Sequence, residues 1–222
     1  MIRARNSDPQ ACSDDFIAFS NPVDLPTAFQ LVKEGNFSGI IAPGFHQEAL
    51  ALLLKRKQDS SWIIIKADNT FVPPEIEFRE IFGVALKYHR RNNVSFSFHH
   101  IVTKNKVIPD DVMQDAIIAC CTVNHTLQNA IVFAKQGQTV AIVSGEQNRM
   151  LALQFALQKL ANWWFRQHPK VRALKFQTGM PSSLCKTLTM QYVEDRIERT
   201  SATEGYFCGQ LPEPLARRWK VR

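Results

Sequence analysis

Apolar positions in this chain alternate between strand-like runs and helical spacing. Residues 15–20 form a short β-type run, and 26–34 follow with Ala28, Phe29, Leu31 and Val32 at helical intervals before Gly35 stops the pattern. Residues 38–42 are a second apolar run, ended by Pro43-Gly44. A strong helix over 46–57 turns Ala49, Leu50, Leu53 and Leu54 inward, and 62–67 read as a third strand. Strand, helix and strand joined by short links predict parallel pairing in an open sheet and an α/β fold.

The stretch 73–107 is basic and irregular around Lys87, His89, Arg90 and Arg91, with a β-like segment at 101–103, and reads as loop and edge. From Pro109 a nearly all-round apolar helix runs to about Val123; a helix apolar on every side is one buried on both faces. Residues 130–135 and 138–143 are β-rich and separated by Gln136-Gly137, a two-residue turn of the kind a hairpin uses. A long helix over 146–167 places Leu153, Ala156, Leu160 and Trp164 at helical intervals and stops at His168-Pro169. The expected architecture is therefore mixed sheets covered by the helices near 46–57, 110–123 and 147–166. Beyond Ala173 the chain turns short and polar, and 201–214 have the turn-rich composition of a loosely packed tail.

Composition narrows the picture. The 222 residues, 45% of them apolar, suffice for one well-buried domain or two small lobes without a metal or disulfide. The longest apolar runs stop well short of the roughly 20 residues a bilayer requires, so no transmembrane segment and no membrane partner are expected. Met1 to Asp8 has two arginines and no apolar stretch, which argues against secretion and gives a transit peptide little support; the expected setting is the cytoplasm or the mitochondrial matrix. Cys12, Cys120, Cys121, Cys185 and Cys208 lack any C-x-x-C pattern and read as reduced thiols. Lys and Arg outnumber Asp and Glu by 27 to 20, a net charge of +7 that favours polyanions, RNA or a ribonucleoprotein, as partners. Arg217, Arg218, Lys220 and Arg222 fit a solvated tail and an RNA-contacting arm equally well.

Complete catalytic motifs are missing. His46-Gln47-Glu48 is half of a zinc deaminase signature without its P-C-x-x-C, so no metal is expected; at a helix start Glu48 suits the dipole and His46 should be exposed. His99-His100 and His125 stand without carboxylates or cysteines at metal spacing. No Walker loop, G-x-G-x-x-G or G-x-S-x-G occurs. The most suggestive feature is Ser144-Gly145-Glu146-Gln147-Asn148-Arg149 at a strand-to-helix junction, where backbone N–H groups, Gln147 and Arg149 could hold a carboxylate or amide. A capped helix with an exposed arginine explains the same residues.

That junction, with Asn129-Ala130-Ile131-Val132-Phe133-Ala134-Lys135 before it and Ala161-Asn162-Trp163-Trp164-Phe165-Arg166-Gln167-His168-Pro169 after it, resembles AICAR transformylase of the transformylase/IMP cyclohydrolase family. Asp8-Pro9, Asp15-Phe16-Ile17-Ala18, Ser38 to Gly44 with Glu48-Ala49-Leu50, and Val102 to Lys106 continue the likeness in family order. The resemblance implies cytidine-deaminase-like α/β/α lobes with a mixed sheet and without the zinc site. It assigns 1–179 to a transformylase-like domain and leaves 180–222 as a divergent tail. It further implies folate-dependent formyl transfer in de novo purine biosynthesis, and dimers with active sites between subunits. Asp8, Asn129, Gln147 and Arg149 match substrate-binding positions, vestigial or shared with a partner.

The same resemblance puts the family's catalytic Lys-His pair and phosphate grip upstream of the matched segment, so no catalytic residue is expected in this chain. Ala11, Ser13, Asp14, Asn124, Asn148, Leu157 and Gln158 depart from family residues. The expectation is a structural, assembly or regulatory component of a protein or ribonucleoprotein complex, with no cofactor. The competing expectation is half of a formyltransferase, using 10-formyltetrahydrofolate and completed by a second chain or a homodimer.

Overall fold

The computed structural model describes residues 1–12, 14–35, 37–57, 62–90, 102 and 104–215. The chain opens with a one-turn helix, α1 (Ile2–Arg5), and an irregular arm to residue 12. Next come β1 (Phe16–Ala18), α2 (Leu25–Glu34), β2 (Gly39–Ala42), α3 (Gln47–Lys57) and β3 (Ile63–Lys66). The three strands pair in parallel in the order β1-β2-β3, as expected from their short connections. Asp24 starts α2 by accepting from the Thr27 amide at 3.0 Å, and Gly35 ends it at φ 61°, a conformation that costs glycine little.

One face of this sheet is well covered. Ile17 and Ile40 pack with Ala28 and Leu31 of α2 and Ala49 and Leu53 of α3, and the Phe37 and Trp62 rings meet edge to face at 4.7 Å. The pairing register puts Phe16, Ala18, Ile41, Ile63 and Ile65 on the opposite face. There Phe16 is 52% exposed and Ile63 50%, although parallel sheets are normally covered on both sides. Phe16 lies across Gly39, where a Cβ would fall 2.3 Å from its ring.

An antiparallel ribbon follows, β4 (Ile76–Ile81) and β5 (Val84–His89), where the sequence pattern had suggested loop and edge. Its turn, Phe82-Gly83, has positive φ at both residues, a type I′ geometry. All of β5 is exposed, and Phe82 projects fully into solvent. The β-like segment at 101–103, apart from Val102, lies outside the described residues, as do His99-His100, Ser13 and the cations at 217–222.

The second half is built on α4 (Asp110–Asn124), β6 (Ile131–Ala134), β7 (Thr139–Val143) and α5 (Arg149–Arg166). β6 and β7 form the expected hairpin around Gln136-Gly137, both at positive φ. Val143, Ala152 and Ala156 make a small core under α5 with Ile131 and Phe133. Parallel and antiparallel pairs both occur, and among the described residues they fall in separate sheets, with no described strand bordering both β3 and the hairpin. A correction concerns α4, which packs along the hairpin on one side yet has no buried residue. Val112 and Val123 are 50% and 41% exposed, so its second apolar side has no cover within the described chain.

After α5 come α6 (Pro169–Arg172), α7 (Ser182–Glu194) and α8 (Ser201–Glu204). Phe207, Leu211 and Leu215 join Val171, Leu188, Tyr192 and Val193 in a third core. Residues 201–214, expected to be loose, are thus anchored by their few apolar side chains. Among the described residues no helix is long and apolar enough to cross a membrane, and all five cysteines are free.

Asp115 joins α4 to the hairpin, its carboxylate accepting the Gln136 and Gly137 amides at 2.9 and 2.7 Å. Asp115→Ala should destabilise the protein by about 1.5 kcal/mol, the low end for charge-assisted bonds because water can reach the turn amides. Urea denaturation of the variant checks this, and Asp115→Asn, which keeps one acceptor, should lose less.

Candidate functional site

The β7–α5 junction is stitched to the segment preceding β6. The Gly145 amide donates to the Gln128 carbonyl at 2.9 Å, with Gly145 at φ 78°, and Asn129 Nδ2 donates to the Glu146 carbonyl at 2.7 Å. Asn129 itself adopts the left-handed conformation, φ 54°, which asparagine tolerates better than most residues. Asn148 caps α5, its Oδ1 accepting from Leu151 N at 2.8 Å. An asparagine at this position therefore does the local work of a serine, since both are good N-caps. Gln147 and Arg149 flank the cap and are exposed.

Three of the four expected binding residues, Asn129, Gln147 and Arg149, thus gather on one pair of loops. Asp8 does not join them. It sits on the N-terminal arm against Lys159, 2.9 Å away, and Lys159 lies ten residues beyond Arg149, about 15 Å along the helix axis. Burial pushes the Asp8 carboxyl upward, but the hydrogen bond and charge of Lys159 hold it below the ordinary range. Lys159 Nζ also donates to the Ile142 carbonyl at 3.1 Å, bridging the arm to β7.

Between these two places runs a cleft of about 450 Å³, lined among others by Ser144, Glu146, Lys159, Asn162, Glu194 and Arg196. Buried Asn162 donates to Glu194 at 2.8 Å, and Arg196 pairs with the same carboxylate at 3.3 Å. Sequence reasoning missed Lys159, Glu194 and Arg196 as site residues, because contacts between an arm, a helix and a distant helix leave no spacing signature. His46 and Glu48 are exposed at the start of α3, as their position suggests. His125 is the exposed C-cap residue of α4. Among the described residues no three His, Cys, Asp or Glu side chains converge as a metal site.

Fold and site together define an α/β protein with a polar, mixed-charge cleft at a strand-to-helix junction. Its relatives make the class specific. Residues 1–159 match the family described as AICARFT/IMPCHase bienzyme, and the chain belongs to that family. It is 30% identical over 154 residues to the bifunctional purine biosynthesis protein PurH of Caldicellulosiruptor saccharolyticus, covering 69% of this chain and 29% of that one. The PurH proteins of Lacticaseibacillus casei and Aquifex aeolicus are 32% and 29% identical over 157 and 164 residues, covering 70% and 74% of this chain. The match spans less than a third of each relative's length, 30% and 31% for these two.

The Asp8–Lys159 pair gives a pH signature. A carboxyl whose pKa is depressed on folding stabilises the protein above its ordinary value of 3.8, and that stability is lost as the pH falls through the depressed value. Asp8→Asn should cost about 0.2–1 kcal/mol near neutrality, small because the pair is partly solvated. Denaturation curves of variant and parent should converge in strong acid.

Proposed function

We propose that this chain is a non-catalytic member of its family that works as a structural, assembly or regulatory component of a larger complex, a ribonucleoprotein among the candidates. The exposed apolar side of α4 carries this reading. A fifteen-residue helix rich in Val, Ile, Ala and Cys, with no buried residue, is the signature of a surface that another protein covers. The open face of the parallel sheet and the β4–β5 ribbon point the same way, since a two-stranded ribbon is marginal alone in water. Residues 75–90 carry three Asp or Glu and three Lys or Arg, a neutral apolar surface suited to a protein, either a different chain or a second copy. The lobes are taken as cytidine-deaminase-like without the zinc, with the transformylase-like part at 1–179 and the divergent part at 180–222. The proposed setting is the cytoplasm or the mitochondrial matrix.

One observation favours a second reading, in which the chain is half of a formyltransferase. Gln147 and Arg149 remain exposed beside Asn129, so a partner supplying a base and a phosphate grip could complete a site for 10-formyltetrahydrofolate and the carboxamide ribonucleotide. General acid–base catalysis alone contributes about 10²–10⁴ in rate, and His125, exposed at a helix end, has no side-chain partner among the described residues that would orient it for that role. Purified chain mixed with both substrates is expected to give no turnover. Turnover by the chain alone, abolished in Asn129→Ala or His125→Ala, would contradict the proposal. Turnover that requires an added second protein establishes the half-enzyme instead.

A further inference from the structure

The cations of this chain are concentrated. From Gln147 to Val193 the sequence holds seven Lys and Arg and no Asp or Glu, so this stretch alone equals the net charge of +7. Everywhere else the two signs balance. In the structure the stretch is α5, α6 and nearly all of α7. Three of the seven are occupied: Lys159 by Asp8, Arg166 by the Asn6 and Ser7 carbonyls, and Lys186 by Glu34 at 3.9 Å. Arg149, Lys170, Arg172 and Lys175 are exposed and make no ion pair among the described residues.

Lys170, Arg172 and Lys175 follow one another on α6 and the turn after it, at the corner where α5 ends. Trp164 in the last turn of α5 is 60% exposed, and Lys135 stands over its ring, 5.3 Å from the centroid. Gln167, the C-cap of α5, follows it at the i+3 position that shares a helix side, His168 comes next with extended backbone as the N-cap of α6, and both are exposed. His168 Nδ1 accepts from the Lys170 amide at 3.2 Å, fixing the corner's geometry. An exposed indole with one cation over its ring and three more in the segment that directly follows suits single-stranded nucleic acid, a base stacking on the ring and phosphates meeting the cations.

We propose that the corner of α5 and α6 is a docking surface for single-stranded nucleic acid, with Lys170, Arg172 and Lys175 taking phosphates and Trp164 stacking a base. An acidic protein segment would use the cations and leave the indole idle. A bilayer would need apolar neighbours around Trp164, where the chain has Lys135, Gln167 and His168. The surface is distinct from α4 and the β4–β5 ribbon, so the inference stands or falls apart from the protein-partner reading above.

The test is fluorescence anisotropy of the full chain with a labelled single-stranded RNA of about 12 nucleotides. Three or four phosphate contacts predict that log affinity falls with log salt at a slope of about −2 to −3. K170E/R172E/K175E should weaken binding about tenfold or more and flatten that slope. W164A should weaken binding by a factor of about 5–100 and leave the slope unchanged, a response that charge alone would not produce. K33E/K55E, equally exposed on α2 and α3, should leave both unchanged. Circular dichroism confirms folding of each variant. Absence of binding at about 50 mM salt, full binding by the triple variant, or an undiminished affinity in W164A would each overturn the proposal. Phosphatidylserine vesicles bound in place of RNA and lost in the same variants would overturn it in favour of a membrane.

Discussion

The N-terminal arm is the constraint on which the rest of the structure depends. Arg5 is 6% exposed, and its guanidinium pairs with Asp15 at 2.9 Å and with Glu34, and donates to the Cys12 carbonyl at 2.7 Å. It thereby fixes the arm to β1 and to the end of α2. A few residues on, Asp8 pairs with Lys159, and Arg166 donates to the Asn6 and Ser7 carbonyls. One short, irregular segment therefore ties the parallel-sheet core to α5, which carries the candidate site. A charge buried to this degree is tolerated only with partners in place, and removing one partner of such a pair costs several times what an exposed pair is worth.

This arm also explains why Asp8 stands apart from Asn129, Gln147 and Arg149. Its carboxylate serves as a tether of the fold, and the positions that remain exposed are those held by the two stitched loops. The cleft between them is walled partly by α7, beyond the residues matched to the family. The tail is thus part of the site's surroundings, with Glu194 accepting from Asn162, just past the matched residues in α5, and Arg196 pairing with the same carboxylate.

Much of the fold was legible because its signals are local. The parallel unit was readable from strand and helix spacing with short links, the β6–β7 hairpin from Gln136-Gly137, and α5 from its periodicity and terminal His168-Pro169. The β4–β5 ribbon was hidden although Ile76 to Arg79 alternates in polarity, because Arg79-Glu80 breaks the alternation and Phe82 occupies a turn position that glycine or asparagine normally announces. The α4 helix was recognised as apolar all round, but polarity says that such a helix is covered and not by which chain. Asp8, Lys159, Glu194 and Arg196 meet across long sequence distances, and only the geometry of the folded chain brings them together. Family membership was readable from ordered motifs, whereas the roles of individual site residues depended on which neighbour each one had found.

The proposed role of this chain turns on the apolar side of α4 being a protein contact. Cys120 and Cys121 are exposed on that helix in the isolated chain and report on it directly. Their maleimide labelling rates should be compared in the purified dilute chain and in the assembly isolated from its native cells. A covered α4 gives ready reaction in the dilute chain and strong protection in the assembly; equal reaction in both would rule that contact out.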